Sequence, residues 1–375
     1  MKILIIHTSE IYTFPPVISL IQNLLNNGHE ISLITYDVKG LEKEYLDKIR
    51  FCLVRSNRKF NRVVRCLLYP IRKLELRRAL KYYGKDTDIV WTTTDGAIRD
   101  IGKPLLNYRH IMQLMELVED IPLIPNQKLF MTDLKKYATF AYRVVVPEIN
   151  RAYIQKAWWE LKQKPYVLPN KPYKLISGKL SDHENEMLHQ IQKETRNIIL
   201  YQGVFALDRN LDAFAEAIEI LGIDQYCLYI MGKNNHAKNM HENLCHKYNH
   251  VKYLGYIPAP KHLYFTKYAY IGLLPYIPSK KICHYSILNA MYCAPNKIYE
   301  YSAFGVPMLG TDVAGLEIPF SKYNMGICCK NLVPQKIAED IKKIELNYTT
   351  MSKNSRKFFT DTDLDRIVHE ILYDE

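Results

Sequence analysis

Short apolar runs alternate along this chain with longer stretches whose apolar positions recur every three or four residues. The first run, Ile3-Leu4-Ile5-Ile6 within residues 2–6, has the length of a buried strand. After Pro15-Pro16, the residues Val17, Ile18, Leu20, Ile21, Leu24 and Leu25 share one helical face, with proline in the first turn and Gly28 at the end. Residues 30–36, 88–94, 111–115 and 143–147 predict further strands. The second half repeats the scheme, with strands predicted over 197–201, 225–231, 251–256, 270–276, 306–311 and 326–329. Between them, Leu211, Phe214, Ala215 and Ile218 line a helix that Gly222 ends. A polar helix is predicted over 236–248, and another over 296–304 is closed by Gly305. Leu364, Ile367, Val368 and Ile371 predict a closing helix over 361–373. Strands that alternate with helical patterns predict βαβ units and parallel sheets.

The pattern breaks at Tyr166-Val167-Leu168-Pro169-Asn170-Lys171-Pro172, a proline-rich exit from a strand, and a charged stretch follows over 179–196. A domain boundary near residue 170 follows. The expected organisation is an α/β chain of two Rossmann-like domains, 1–170 and 171–355. A final helical segment, 356–375, is expected to cross back to the first domain. Two open parallel sheets imply a central cleft, with ligands beyond the carboxyl ends of the strands.

Charge adds a local feature. The net charge is +12, and eleven basic residues lie between Arg55 and Lys85 against the single acid Glu75, so this segment supplies +10 of it. Arg58, Lys59, Arg62, Arg65, Arg72 and Lys73 are the candidates for contact with an anionic surface. Phe60, Val63, Val64, Leu67, Leu68, Ile71 and Leu74 recur among them at helical spacing, with Pro70 expected to kink the helix. Such a helix can lie on an anionic membrane or pack on the sheet with a solvated basic face. No nucleic-acid motif accompanies the charge, so nucleic acid is not an expected partner. No apolar run approaches the ~20 residues of a membrane span. The eight cysteines show neither C-x-x-C pairs nor zinc-finger spacing, and reduced thiols in the cytoplasm are expected. Asp86/Asp88 and Asp361/Asp363 form Asp-x-Asp pairs, read as caps or turn residues. No essential metal or other cofactor is expected.

The most informative segment runs Ala294-Pro295-Asn296-Lys297-Ile298-Tyr299-Glu300-Tyr301-Ser302-Ala303-Phe304-Gly305-Val306-Pro307-Met308. A long loop delivers the chain to a helix start, where free N–H groups and the helix dipole favour phosphate. Glu300 sits one turn in, where a carboxylate can accept hydrogen bonds from paired ribose hydroxyls. This segment resembles the C-terminal signature of family-4-type retaining glycosyltransferases of the GT-B fold. Tyr201-Gln202-Gly203-Val204-Phe205 with Arg209 is similar to the family's first loop of the second domain. Val251 to Pro258, Tyr268-Ala269-Tyr270-Ile271-Gly272-Leu273-Leu274-Pro275-Tyr276, and Pro15-Pro16 through Gly28-His29-Glu30 follow other family segments in the right order. The resemblance covers most of the chain.

What the resemblance implies is a sugar transferred from a nucleoside diphosphate, UDP or GDP, to a glycan or polyprenyl-diphosphate-linked acceptor. It implies capsule, O-antigen or exopolysaccharide assembly at the inner face of a bacterial membrane. Gly203, Arg209, Pro295, Asn296, Lys297 and Glu300 would hold the donor. Two positions depart from the family pattern: Tyr292 stands where a first glutamate is common, and Met115 where a histidine is common. Glu116 and Glu119 are the candidate catalytic carboxylates, unless the leaving phosphate takes the acceptor proton itself. A sugar-nucleotide epimerase on the same fold, or a silent donor-binding subunit of a transferase complex, are the competing readings.

Overall fold

The computed structural model of the chain describes residues 1–56, 60–123, 131–176, 178–234, 239–280 and 286–374, apart from the side chains of Arg62 and Arg65. The chain divides into two compact units, Met1–Tyr173 with Leu364–Glu375, and Lys174–Asp363.

The first unit contains strands β1 (Lys2–His7), β2 (Glu30–Thr35), β3 (Arg50–Leu53), β4 (Ile89–Thr92), β5 (His110–Gln113), β6 (Ile121–Pro122), β7 (Met131–Thr132), β8 (Arg143–Val146) and β9 (Tyr166–Val167). Among the described residues the main sheet has the order β3-β2-β1-β4-β5-β8-β9, while β6 and β7 form a separate antiparallel pair. Every pairing in the main sheet is parallel. Successive side chains of a strand point to opposite faces, so a sheet covered on both sides needs an unbroken apolar run. In β1, Ile3 and Ile5 join a core with Val17, Ile21 and Leu24, whereas Leu4 and Ile6 join one with Leu76, Leu80 and Ile98. The closing helix Leu364–Tyr373 contributes Val368 and Ile371 to the first of these cores. Asn23 and Asn27 pin it by donating to Asp365, at 2.6 and 2.7 Å.

The second unit repeats this order. Strands β10 (Asn197–Gln202), β11 (Tyr226–Met231), β12 (Val251–Tyr253), β13 (Ile271–Leu274), β14 (Met308–Thr311) and β15 (Gly326–Cys329) lie as β12-β11-β10-β13-β14-β15, all parallel. The α/β class with two parallel sheets expected from the alternation is therefore the observed one.

Two local readings change. The edge strand β3, in the short run Phe51-Cys52-Leu53-Val54 outside the strands predicted above, carries the exposed apolar side chains Phe51 and Leu53. The charged stretch over 179–196 contains a helix, Asp182–Gln192, closed at its start by a capping box between Ser181 and Glu184. The helix Arg62–Tyr83 contains Pro70. The polar helix expected from residue 236 begins at Met240, and 235–238 lie outside the described residues.

One close approach places the future site. A Cβ on Gly272 of β13 would lie 2.5 Å from the ring of Tyr301. Tyr301 is fully buried, and its hydroxyl donates to the Leu200 carbonyl at 2.8 Å. Helix Asn296–Ala303 is thereby drawn tightly onto the sheet. Gly272→Ala is expected to force the ring outward, lowering stability by about 1–3 kcal/mol. A thermal melt should fall by several degrees, and an unchanged midpoint would contradict the close approach.

Candidate active site

The strand order of the second sheet reverses at β10, whose neighbours are β11 and β13. In open α/β sheets, ligands sit beyond the carboxyl ends of the strands at such a reversal. Gly203 follows β10 there, with φ +134°, and a Cβ on it would lie 2.9 Å from the Lys297 ammonium. Its N–H donates to the Met231 carbonyl at 2.8 Å, tying this loop to the end of β11. The Asp208 carbonyl accepts from the Ile277 N–H at 2.9 Å and ties it to the exit of β13.

Two cations share one aromatic ring at this point. The Arg209 guanidinium carbon lies 4.9 Å from the Tyr276 centroid, and the Lys297 ammonium lies 5.4 Å from the same centroid. Lys297 is also 5.7 Å from the Tyr201 centroid. Arg209 meets one carboxylate, Asp208, at 3.9 Å, beyond good hydrogen-bond distance. Its Nε is buried with no hydrogen-bond partner among the described residues. Lys297 makes no ion pair within 4 Å among the described residues. Burial, and then the Arg209 charge, push the half-buried Lys297 down to about 8 against the opposing pull of Glu300.

Lys297 opens the helix Asn296–Ala303, for which Pro295 is the N-cap residue and no side chain caps the first turn. The free N–H groups of such a turn attract anions. Glu300, one turn in, is 6% exposed. One of its oxygens accepts from Gln202 at 2.5 Å, and the other faces His262 Nε2 at 3.2 Å. Burial alone would raise its pKa, but His262, Lys297 and Gln202 outweigh that, and the carboxyl sits below the ordinary glutamate value. The structure thus gathers Gly203, Arg209, Pro295, Asn296, Lys297 and Glu300 at one end of one sheet. Sequence reasoning missed Tyr276, Gln202, His262 and Thr266. The available signals were the place of Tyr276 just past a strand and the i, i+4 spacing of His262 and Thr266.

In the first unit, Glu116 is half-buried and Glu119 exposed in the bend after β5, and the Glu119 carbonyl accepts from the Trp159 indole at 3.0 Å. Met115 packs against the core. His110 is bonded to Thr92 at 2.8 Å, and burial pushes its pKa down to about 3, which keeps it neutral. Asp88 accepts from the Lys2 amide at 2.7 Å, and Asp361 pairs with Lys357.

The basic helix differs from its expected form. Arg58 and Lys59 lie outside the described residues, as do the side chains of Arg62 and Arg65. Arg72 does not face outward: it turns into the unit and pairs with the buried Asp100 at 2.6 Å. Lys73 is half-buried, 5.1 Å from the Tyr69 centroid. The aliphatic Val63, Leu67, Ile71 and Leu74 are 70, 71, 61 and 49% exposed, and the basic Arg77, Arg78 and Lys81 are exposed as well.

The class that fold and site define is a glycosyltransferase. Residues 183–358, which include the cations and the buried carboxylate, match the family model described as glycosyl transferases group 1. Compared by sequence with curated proteins, the chain finds no match. Among solved structures it is similar to a glycosyltransferase from Rickettsia africae, with TM-score 0.66 at 15% identity, covering 100% of this chain and 99% of that one. It is similar also to Anabaena HepE in complex with UDP and glucose, with TM-score 0.66 at 14% identity over 99% and 98% of the two chains. WaaG, a glycosyltransferase involved in lipopolysaccharide biosynthesis, gives TM-score 0.61 at 14% identity, with both chains covered in full. At such identities these structures establish the GT-B fold.

A lysine whose pKa is depressed destabilises the fold while protonated, and the penalty fades as pH rises from about 8 toward its ordinary value. Lys297→Met is therefore expected to melt above the wild type at neutral pH, with the gap narrowing as pH passes 8. A variant that melts lower at neutral pH would show that Lys297 is structurally satisfied.

Proposed function

We propose that this protein transfers a sugar from a nucleoside diphosphate, with UDP or GDP as the carrier, to a glycan or polyprenyl-diphosphate-linked acceptor. The observation that carries the reading is the pair of undercompensated cations, Arg209 and Lys297, over Tyr276 at the uncapped start of a helix. A diphosphate fits this arrangement in charge. When the bond from the anomeric carbon to phosphate breaks, negative charge grows on the leaving diphosphate. Fixed cations and the amides of Asn296 and Lys297 stabilise that charge without reorganising. They fill the part that a metal plays in other transferases, so the reaction is proposed to be metal-independent. The sugar becomes oxocarbenium-like, as in glycoside hydrolysis. In a retaining reaction the acceptor attacks on the same face, and the leaving phosphate can take its proton. Glu116 and Glu119 are then optional.

The acceptor class and the site of action are read from other features. Similarity to WaaG supports polysaccharide assembly of the capsule, O-antigen or exopolysaccharide type. The exposed aliphatic row on the helix Arg62–Tyr83, with Arg78 and Lys81 exposed beside it, supports peripheral attachment to an anionic membrane at the cytoplasmic face. No helix among the described residues is long and apolar enough to cross a membrane.

A thermal-shift panel of nucleoside diphosphates tests the donor. One of UDP and GDP, at 100 times its dissociation constant, should stabilise the wild type by about 2.7 kcal/mol. Glu300→Ala should lose most of that gain, and absence of any shift at millimolar nucleotide would sink the reading. Incubating the donor sugar with and without a polyprenyl-diphosphate-linked glycan then separates transfer from the alternatives. Turnover without acceptor would indicate an epimerase, and binding without turnover a silent subunit. Glu116→Gln and Glu119→Gln should each retain activity within about tenfold if the leaving phosphate is the base; a loss of ~10²–10⁴-fold in one would assign that carboxylate the proton.

For the membrane, Leu67→Glu with Ile71→Glu is expected to abolish co-sedimentation with vesicles containing anionic lipid. Retained binding would remove the helix from that role.

A further inference from the structure

We propose that His262 is a positioning residue for the donor ribose, acting through Glu300; this rests on the nucleotide reading above. Glu300 is held in a closed ring of side chains. His262 Nε2 faces one carboxylate oxygen at 3.2 Å, and Gln202 Nε2 donates to the other at 2.5 Å. The Thr266 hydroxyl lies 2.7 Å from Gln202 Oε1 and 3.2 Å from the His262 carbonyl, and as the donor it links both. A glutamate on a helix has three side-chain torsions, the last of them broad, so its plane is not fixed by packing alone. Donors on both oxygens fix that plane. Each carboxylate oxygen retains a further acceptor direction, which two adjacent hydroxyls can use together.

Nothing else occupies the imidazole. Nδ1 is buried with no hydrogen-bond partner among the described residues. The polar contact of the ring is therefore with Glu300, and Nε2 must carry a proton in either charge state of the ring to make it. His262 precedes the short helix Leu263–Thr266, which packs onto the helix of Glu300. The sequence cost of this arrangement is three polar residues, Gln202, His262 and Thr266, buried where apolar ones would pack as well. A role in orienting the carboxylate accounts for all three.

The experiment measures binding of UDP and GDP, and of their 2′,3′-dideoxy forms, to the full chain by titration calorimetry. The wild type should prefer the ribose form of its nucleotide by roughly tenfold or more, as expected for hydrogen bonds to a carboxylate. His262→Leu should erase most of that preference and leave affinity for the dideoxy form unchanged. His262→Gln, whose amide can take the place of Nε2, should restore it. Adding His262→Leu to Glu300→Ala should produce no further loss, because one residue acts through the other. Equal weakening toward both sugars, or additive losses in the double variant, would overturn the inference. Should the leucine variant fail to fold, His262→Asn, too short to reach Glu300, must lose the preference that His262→Gln keeps. A wild type that binds neither nucleotide overturns the nucleotide reading and this inference with it, whereas a wild type that discriminates ribose while every His262 variant does the same overturns this inference alone.

Discussion

Two positive charges with no adequate anion, held over one tyrosine ring, are the constraint around which the second unit is organised. Lys297 is depressed in this partly desolvated place by burial first, and then by the repulsion from Arg209. The ring face offsets part of it, at roughly 0.5–2 kcal/mol for each cation. The rest must be borne by backbone that does not yield. Thr311 supplies such backbone, since its hydroxyl donates to the Tyr276 carbonyl at 2.5 Å while accepting from the Tyr276 N–H at 2.9 Å. The Asp208 to Ile277 bond closes the Arg209 loop against the same strand exit. The proposed diphosphate would relieve that repulsion, and its affinity would draw on the relief.

Glu300 shows the opposite treatment of charge. It lies deeper than either cation, yet its carboxylate is satisfied from both sides. A buried carboxylate without partners would be driven toward its neutral form. The neighbours reverse that direction and keep it ionised. The site therefore combines a satisfied acceptor with unsatisfied donors, one suited to recognising hydroxyls and the other to holding phosphate.

The fold was legible because parallel strands covered on both faces must be continuous apolar runs, and these are visible one by one. Strand β3 escaped because its run, Phe51 to Val54, is only four residues long and lies between Arg50 and Arg55. The helix Asp182–Gln192 escaped although Ser181 and Glu184 had the spacing of a capping box, because its apolar face is only Met187, Leu188 and Ile191 in an otherwise polar and charged stretch. In the candidate site, the residues within one segment, from Pro295 to Glu300, were legible from the helix start. Gln202 lies 98 positions from Glu300, and no local pattern links them. The inward turn of Arg72 was hidden for the same reason: its partner Asp100 is 28 positions away and on another helix.

That inward turn changes what the basic segment means. Sequence composition makes charge the conspicuous property of residues 55–85, but charge is what the fold partly withdraws. Arg72 is spent on Asp100, Lys73 leans on Tyr69, and the Arg77 guanidinium donates to the Ile101 carbonyl at 2.8 Å. Val63, Leu67, Ile71 and Leu74 are left exposed. On a lipid surface a basic residue contributes about 1 kcal/mol, whereas burying an aliphatic side chain of this size contributes roughly 1.5–3 kcal/mol. Among the described side chains of the helix, these four outweigh the exposed cations Arg77, Arg78 and Lys81. In the proposed membrane attachment, the exposed aliphatic side chains supply a contribution that salt does not screen.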